Sequence, residues 1–228
     1  MDAIDCIYSR RSCRKFLQKP MDFQTVLDLI EAGTKAPSLG NIQDYRFVIV
    51  SDQDKINHIA EHCTEQYWIA EAPLLIVVAS DTERSEEYYG LRGQRLYSIQ
   101  NASAATQNIL LAAHAKGLGA CWIGSFDEEY VQDALNMPEH IRPQAIIPVG
   151  YPAKSPQKRH EHAIRMFVGF NAYGASIENM NTLLNEYNKE IERAYKSTEK
   201  KGKKGLDKLK DKVKKFYEKA KEDFNKRK

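Results

Sequence analysis

Residues 99–115 contain no Lys, Arg, Asp or Glu, although 29% of the whole chain is charged. The apolar residues of this stretch lie on several sides of a helix rather than on one stripe: Ala102, Ala105, Ile109, Leu110, Leu111, Ala112 and Ala113. A helix that is apolar on most sides is buried. We therefore expect a helix over 99–116 that lies in the core or in a subunit interface. Gly117 and Gly119, in left-handed geometry, are expected to end this helix.

Other segments have the patterns of shorter helices and strands. Asp22 is a typical helix cap, and the apolar residues after it recur at helical spacing until Gly33 ends the helix. Further along the chain, β-branched runs predict strands and periodic runs predict helices: strands at 46–50, 73–79 and 145–149, helices at 56–63 and 128–135. With 228 residues and no internal repeat, the chain is expected to form one mixed domain with a proper core.

The charge of the chain changes sign along its length. Residues 196–228 hold 15 Lys and Arg against 6 Asp and Glu, whereas the rest holds 19 against 25. We therefore divide the chain into a domain at 1–178, a helix at 179–201 and a Lys-rich amphipathic extension at 202–228. The four cysteines lack a Cys-x-x-Cys spacing, and no signal peptide or membrane-spanning run is evident, so we expect reduced thiols and a cytoplasmic protein.

The segment Arg10-Arg11-Ser12-Cys13-Arg14-Lys15-Phe16 concentrates four cations and a hydroxyl. Guanidinium groups and a serine hydroxyl are well shaped to hold a phosphate. A solvated basic turn would have the same composition, so the segment by itself leaves both interpretations open.

A second segment, Ala36-Pro37-Ser38-Leu39-Gly40-Asn41-Ile42-Gln43, is rich in small residues and amides. The Asn41 amide offers both a donor and an acceptor to the edge of a polar heterocycle. The alternative is a loop that only ends the preceding helix. A basic cluster followed by this amide loop indicates a bound nucleotide-like cofactor.

Together the two motifs resemble those of the FMN-dependent nitroreductase family. Residues 9–16 match the family's opening Ser-Arg-Arg-Ser-x-Arg-x-Phe, and 36–43 match its Ala-Pro-Ser-x-x-Asn-x-Gln loop, after which Asp44-Tyr45 stand where Pro-Trp is usual. Residues 117–126 look like the family's flavin-edge segment, and 147–152 look like its late strand and turn. The ordered set covers about residues 1–175.

The resemblance implies an α+β fold with a central, mostly antiparallel sheet flanked by helices, in an intertwined homodimer with two FMN sites at the interface. It assigns the cofactor to Arg10, Arg11, Ser12, Arg14, Pro37, Ser38, Leu39, Asn41, Trp122, Ile123, Gly124 and Arg159. In that assignment the Arg10, Ser12 and Arg14 side chains approach the ribityl phosphate, and Arg11 adds backbone or a neighbouring contact. Arg159 is the distal partner of the phosphate. The loop residues reach the flavin held mainly by the other subunit, and the Gly124 N–H points at flavin N5.

The reaction implied by the resemblance is a ping-pong transfer of hydride from NAD(P)H to FMN and then of electrons to a nitroaromatic, quinone or flavin. Because the cofactor carries the chemistry, no catalytic side chain is named. Gly117-x-Gly119 lacks a third glycine and follows a helix, so NAD(P)H is expected to visit the flavin site rather than to occupy a Rossmann domain. The alternatives are a specialised flavin reaction, such as reductive dehalogenation or flavin fragmentation, and a non-enzymatic FMN-binding or scaffold protein.

His58-Ile59-Ala60-Glu61-His62 has the spacing of an inverted zinc-protease motif. It would place both imidazoles on one helix face, but no third ligand is evident. We favour two chance histidines on a short surface helix over a zinc hydrolase and predict no metal.

The C-terminal part carries two further helical patterns. Residues 180–195 have apolar residues on one face, and Gly202 and Gly205 separate them from a last helix. In that last helix the apolar residues fall within a sector of about 100°, namely Leu206, Leu209, Val213, Phe216, Tyr217, Ala220 and Phe224. We favour docking of this stripe on a protein surface. An anionic membrane surface is the alternative, and nucleic acid is disfavoured because arginine and interleaved aromatic residues are scarce.

Overall fold

Four strands form one antiparallel sheet in the order β1-β2-β4-β3. Their bounds are Tyr45–Val50 for β1, Leu74–Asp81 for β2, Gly119–Ala120 for β3 and Ile141–Gly150 for β4. The register pairs β2 with β4 regularly until it shifts between Val78 and Ala79, which face Ala145 and Pro143. Proline has no N–H group to donate to a neighbouring strand, so an irregularity in the pairing is a place where a strand tolerates a residue such as Pro143.

Among residues 1–154, six helices and four short helical turns accompany the sheet, and a fifth turn lies in the later described residues. The helices are α1 (Ala3–Ser9), α2 (Phe23–Thr34), α3 (Gln53–His58), α4 (Thr82–Arg92), α5 (Ser98–Ala115) and α6 (Glu128–Leu135). The turns are Leu39–Asn41, Ile59–Cys63, Tyr67–Glu71, Gly93–Tyr97 and Ile164–Met166. An aspartate side chain accepts backbone N–H groups at the start of every helix except α5. Such caps fix where each helix begins.

Strand β2 is buried on both faces and separates two halves of the core. Leu75 and Val77 pack with Ile59 of the turn after α3 and with Val131 of α6. On the other face, Ile76 and Val78 belong to a second cluster, which contains residues of α2, α5 and β4: Val26, Leu29, Ile109 and Ile147. Burial on both faces explains why β2 is a continuous apolar run rather than an alternating one. The antiparallel sheet between helical layers confirms the expected fold class.

Helix α5 confirms the prediction made from its lack of charge. Its fully buried side is formed by Ser98, Asn101, Ala102, Ala105, Thr106, Ile109, Leu110 and Ala113. Ser103, Ala104, Gln107, Leu111 and Ala112, on the other side, are partly buried. A helix without charges therefore has one face in the core and a second face that is only half covered within the protomer.

Three sequence-based boundaries were wrong. Helix α2 continues through Gly33 and ends at Thr34, and the helix predicted at 56–63 divides at His58 into α3 and a wider turn. Gly117 is left-handed, with a φ of +74°, as expected, but Gly119 belongs to β3. Glycine is needed at 119 for a different reason, since a Cβ atom there would lie 2.6 Å from the Cys13 Sγ.

This computed structural model describes residues 1–154, 161–169, 173–174, 185, 188–193 and 214. It divides into two units, Met1–Arg159 and His160–Lys228. Residues 188–193 are helical, in agreement with the helix predicted over 180–195. The domain boundaries predicted at 178 and 201 and most of the Lys-rich extension lie outside the described residues and stay predictions. Among the described helices none is long and apolar enough to cross a membrane.

Candidate active site

The basic segment leaves α1 and runs in extended form along the end of the sheet. Helix α1 ends at Ser9, and Arg10 already has the extended φ and ψ of −56° and 132°. The Cys13 N–H then donates to the Ala120 carbonyl of β3 at 2.9 Å, and the Leu17 N–H donates to the Tyr151 carbonyl at 2.8 Å. The Ala153 N–H also donates to the Lys15 carbonyl at 3.0 Å, so three hydrogen bonds fix the backbone here.

Arg10, Ser12 and Arg14 act together on one buried thiol. Burial raises the pKa of Cys121, and this effect is opposed by the charge of Arg14, by a hydrogen bond with Ser12 and by the charge of Arg10. All three groups therefore lie within electrostatic or hydrogen-bonding range of the same sulfur, while the intervening Cys13 is buried in the core. The structure brings together the three side chains that the sequence assigned to a phosphate. We call Arg10, Ser12 and Arg14 the cationic cluster.

The chemistry of the cationic cluster fits a phosphate. Among the described residues, neither Arg10 nor Arg14 forms an ion pair with a carboxylate. The Arg14 guanidinium instead stands over the Trp68 ring, 5.8 Å from its centroid, which orients it without neutralising it. Two positive charges that no described carboxylate neutralises, beside a hydroxyl, form a set of donors suited to an anion.

Arg11 has a different role from its neighbours. Its Nη1 donates to the Tyr8 carbonyl at 2.6 Å and to the Arg10 carbonyl at 2.8 Å, so it binds carbonyl groups at the end of α1. Close by, Ser9 Oγ and His114 Nε2 are 2.8 Å apart. Burial, and then the charges of Arg10 and Arg11, lower the pKa of His114. Arg11 therefore stabilises the helix end that positions Arg10.

The segment after β3 alternates between the core and the surface. Trp122 and Gly124 are exposed, whereas Ile123 is buried and exchanges hydrogen bonds of 2.9 and 3.0 Å with the backbone of Ile146. Ile123 therefore serves the fold, because its side chain lies in the core and its backbone N–H and C=O are both hydrogen-bonded to Ile146. A Cβ atom on Gly124 would lie 3.5 Å from Trp122 Nε1, an ordinary contact, so the fold of the protomer does not itself require glycine there.

The amide loop, residues 37–43, adopts left-handed geometry at three positions. Gly40, Asn41 and Gln43 have φ values of +56°, +57° and +49°. A Cβ atom on Gly40 would lie 2.1 Å from the Tyr89 hydroxyl, so α4 approaches the loop closely. Pro37, Leu39 and Asn41 are exposed, and the Ser38 hydroxyl accepts the Gln43 N–H at 3.0 Å. The side chains assigned to the cofactor are accessible on a loop held in an unusual shape.

Two residues behind the loop escaped the sequence analysis. Asp44 is fully buried and accepts hydrogen bonds from Ser85 and from Asn101, whose own side-chain oxygen accepts the Leu39 N–H. No local pattern indicates this arrangement, since Asp44 and Asn101 are 57 positions apart. The only signal was Asp44 itself, an acidic residue next to a strand in place of an expected proline.

The amide loop and the cationic cluster are held at opposite ends of α5. Asn101 binds the loop near the start of the helix, whereas Leu111 and His114 bind Cys6 and Ser9 of α1 near its end. Asn101 and His114 are about 20 Å apart along the axis at 1.5 Å per residue. Among the described residues no hydrogen bond links the loop to the cluster. The two segments that the sequence assigned to one site therefore lie apart within a protomer.

The remaining predicted features lie elsewhere. His58 and His62 have ring centroids 4.7 Å apart, but the described residues include no group of three or more His, Cys, Asp and Glu side chains that could hold a metal. Arg159 lies outside the described residues. A cavity of about 380 Å³ beside Lys19 and Pro73, and another of about 540 Å³ with an acidic lining around Glu128, include none of the residues assigned to the cofactor.

Comparison with known proteins gives one consistent result. A family model described as "Nitroreductase family" matches residues 7–70 and 64–151. A relative from Methanothermobacter thermautotrophicus, provisionally named NADH dehydrogenase/NAD(P)H nitroreductase, is 32% identical over 163 residues, which cover 70% of this chain and 82% of the relative.

Two solved structures extend this likeness to the fold. One, from Bacteroides thetaiotaomicron and with the same provisional name, has a TM-score of 0.67 at 32% identity and covers 75% of this chain and 98% of its own. The other is named an FMN-dependent nitroreductase, from Clostridium difficile, and has a TM-score of 0.64 at 26% identity over 75% of this chain and 99% of its own.

Proposed function

Because the chain belongs to the nitroreductase family, we propose that it is an NAD(P)H-dependent flavin oxidoreductase with FMN as its bound cofactor. The relatives are named for NAD(P)H and for FMN. The observation that carries the cofactor assignment is the cationic cluster, where the charges of Arg10 and Arg14 act on the same thiol beside a fixed backbone. A phosphate would supply the negative charge that no described carboxylate gives these two cations.

Each part of the site has its own task. Arg10, Ser12 and Arg14 would hold the phosphate, and the exposed Asn41 would offer its amide to the polar edge of the ring. The exposed backbone at Gly124 leaves a flat approach for a planar ring. FMN, when bound, would supply the redox chemistry by accepting a hydride from NAD(P)H and passing electrons to a nitroaromatic, quinone or flavin. The chain itself binds, orients and shields, and donates no catalytic side chain.

A homodimer completes the site in this proposal. The cationic cluster and the amide loop are separated along α5, so the loop of one subunit would reach the flavin held by the cluster of the other. The half-buried face of α5, which carries no charge, supplies a surface suited to a second copy. NAD(P)H and the acceptor would take turns over the exposed face of the ring, which gives ping-pong kinetics.

Flavin titration of the purified dialysed protein tests the cofactor. We expect a yellow protein with one FMN per subunit. Arg10→Ala and Arg14→Ala should each weaken FMN binding by about 1.5–3 kcal/mol, the range for hydrogen bonds to charged groups. Lys15→Ala removes a neighbouring cation that does not act on Cys121, so it is the matched control. A protein that stays colourless after addition of FMN would refute the proposal.

Oxidation of NADH or NADPH with an added quinone or nitroaromatic tests the activity. An oxidoreductase consumes the reduced nicotinamide in the presence of acceptor, and double-reciprocal plots at several acceptor concentrations should be parallel. A flavin-loaded protein that consumes neither nucleotide would be a binding protein, and the enzymatic part of the proposal would then be wrong.

A further inference from the structure

A cluster of buried polar side chains lies directly behind the amide loop. Asp44 and Ser85 are 0% exposed and Asn101 is 3% exposed. They come from the start of β1, from α4 and from α5, so three separate elements meet at one carboxylate. Burial of a carboxylate is costly unless hydrogen bonds compensate for the lost water. Both oxygens of Asp44 have such partners, because Ser85 Oγ donates to Oδ2 and Asn101 Nδ2 donates to Oδ1 at 2.8 Å.

The carboxylate determines which way the Asn101 amide points. Asp44 Oδ1 accepts from the Asn101 Nδ2, so the amide directs its NH₂ group towards Asp44. Its oxygen then faces the opposite way and accepts the Leu39 N–H at 2.9 Å. A flipped amide would place two oxygens against each other and leave the Leu39 N–H facing a donor. Asp44 thereby controls a backbone contact of the loop, although its own side chain is hydrogen-bonded to Ser85 and Asn101 and not to loop residues.

The loop needs such support because its backbone is strained. Gln43 has a φ of +49°, a region that residues other than glycine rarely occupy because of their Cβ atom. Strained residues persist where the surroundings fix them on several sides. Arg84 Nε donates to the Ile42 carbonyl at 2.7 Å, and Arg46 Nη1 donates to the Gln43 carbonyl at 3.3 Å. The loop is thus fixed by side chains from several elements.

We propose that Asp44 is a positioning residue that pre-forms the amide loop for the ring of the flavin, through Asn101 and the Leu39 N–H. This inference rests on the proposed function for the identity of the ligand. It assigns a role to the position at which this chain departs from the Pro-Trp usual in the family. The carboxylate touches no ligand and acts only by keeping Asn41 and its neighbours in their binding shape.

Two flavins that differ only in the phosphate separate this role from that of the cationic cluster. Asp44→Ala should weaken FMN and riboflavin by the same factor, about tenfold if the competent loop falls to a tenth of the population. Arg14→Ala should weaken FMN and leave riboflavin unchanged. The ratio of the FMN and riboflavin dissociation constants should therefore equal the wild-type ratio in Asp44→Ala and differ from it in Arg14→Ala.

Asp44→Asn supplies the rescue variant. An asparagine of the same shape can accept from Asn101 through its oxygen and donate to Ser85 through its NH₂ group, so both flavin affinities should stay close to wild type. Asn101→Ala should reproduce the loss seen in Asp44→Ala. The double variant should be no weaker than either single variant, since the two residues act in one chain of contacts.

Ser80→Ala is the matched control for burial alone. Ser80 is fully buried in β2 and accepts from Gln144 Nε2 at 2.9 Å, without a side-chain contact to the loop. It should lower the melting temperature and leave both flavin affinities unchanged. Hydrogen exchange in the flavin-free protein gives a second readout: Asp44→Ala and Asn101→Ala should speed exchange at residues 38–43 and leave β2 protected.

Unchanged affinity for both flavins in Asp44→Ala would overturn the inference, and so would an Asp44→Asn variant as weak as Asp44→Ala. If Asp44→Ala does not fold, Asn101→Ala tests the inference instead. It should leave the ratio of the FMN and riboflavin dissociation constants unchanged and speed hydrogen exchange at residues 38–43. A wild-type protein that binds neither flavin would refute the proposed function instead. In that case faster exchange confined to 38–43 still supports the positioning of the loop, and unchanged exchange overturns it.

Discussion

A substitution at Gly124 can show whether glycine is needed there for the fold of the protein or for the approach of a ligand. Its φ lies outside the left-handed region, and an added Cβ atom would make only an ordinary contact with Trp122. Gly124→Ala should therefore keep the flavin-free protein as stable, or raise its stability by about 0.4–1 kcal/mol through the unfolded chain. Flavin affinity or turnover should fall, because the methyl group occupies the surface assigned to the ring.

Gly117→Ala is the opposite control for that substitution. Gly117 has open space around it but a φ of +74°, so alanine there should cost about 1–2 kcal/mol of stability without loss of flavin affinity. Thermal unfolding and flavin titration of the two variants distinguish them. A Gly124→Ala protein with normal flavin affinity and normal turnover would remove Gly124 from the site.

Cys63 should make the stability of the protein depend on pH in the alkaline range. Burial, and then the charge of Asp127, raise the pKa of Cys63 to about 11. In the unfolded chain this thiol ionises near its usual value of 9.0. Between these two values the folded protein binds the proton that the unfolded chain has lost, so stability is complete below pH 9 and falls as the pH rises to 11.

Urea unfolding between pH 8 and pH 11 measures this effect. The loss should amount to about 2–3 kcal/mol, at 1.36 kcal/mol for each pH unit of difference. Cys63→Ala should be less stable at pH 8 because it leaves a small cavity, but its stability should decline less steeply. Parallel curves for the two proteins would show that Cys63 ionises alike in both states.

At the scale of elements, long and periodic segments were predictable and short or polar ones were not. Strand β2 and helix α6 were found because their apolar residues have a clear pattern, and the bounds of α6 agree with the prediction. Helix α4 was missed because Glu, Arg and Tyr dominate it and because Gly90 interrupts it. Strand β3 has only two residues and exists through its pairing with β4, which no local signal indicates.

The same distinction holds for the candidate site. The common action of Arg10, Ser12 and Arg14 on Cys121 was predictable because they lie in one segment, and an extended backbone turns alternate side chains to the same side. Asp44 and Asn101 were not, because their contact exists only when α5 packs beside β1. The sequence therefore predicted which side chains of one segment lie together, whereas contacts between distant segments became visible only in the structure.

Helix α5 links the protomer to the proposed dimer. Ser103 lies on its half-buried face, among residues without charge. Ser103→Lys should weaken the dimer because it places an unpaired cation in the interface. Because the site needs both subunits in this proposal, flavin should be lost together with the dimer. Analytical ultracentrifugation with absorbance at the flavin wavelength measures both quantities at once.

Asp133→Lys is the control for that helix, since Asp133 is exposed on α6, which packs on the other face of the sheet. It adds the same cation and should leave the dimer and the flavin unchanged. A Ser103→Lys protein that sediments as a monomer with full flavin occupancy would show that one subunit suffices.

At the scale of the whole molecule, charge separates the enzyme from its C-terminal extension. Residues 196–228 are strongly basic, whereas the rest carries more acidic than basic residues. Every described residue assigned to the cofactor lies in the first unit, Met1–Arg159. The family model also ends at residue 151, before the basic extension begins. The proposed flavin site and the Lys-rich extension therefore belong to different parts of the chain.

Deletion of residues 203–228 tests this separation. The truncated protein should keep its FMN content and its oxidation of NAD(P)H, because no residue assigned to the cofactor is removed. Its melting temperature or oligomer size should change, since the apolar stripe of the extension, which includes Leu209, Phe216 and Phe224, would lose its docking surface. Flavin absorbance, steady-state turnover and sedimentation of the two proteins provide the comparison.

Vesicle binding decides between the two docking surfaces for that stripe. Binding of the full chain to anionic vesicles that disappears on deletion and on addition of salt would identify a membrane surface, because each basic residue contributes about 1 kcal/mol near such a surface and salt screens it. Absence of binding, with a lower melting temperature after deletion, would identify a protein surface. Loss of FMN on deletion would contradict the separation, since it would make the extension part of the flavin site.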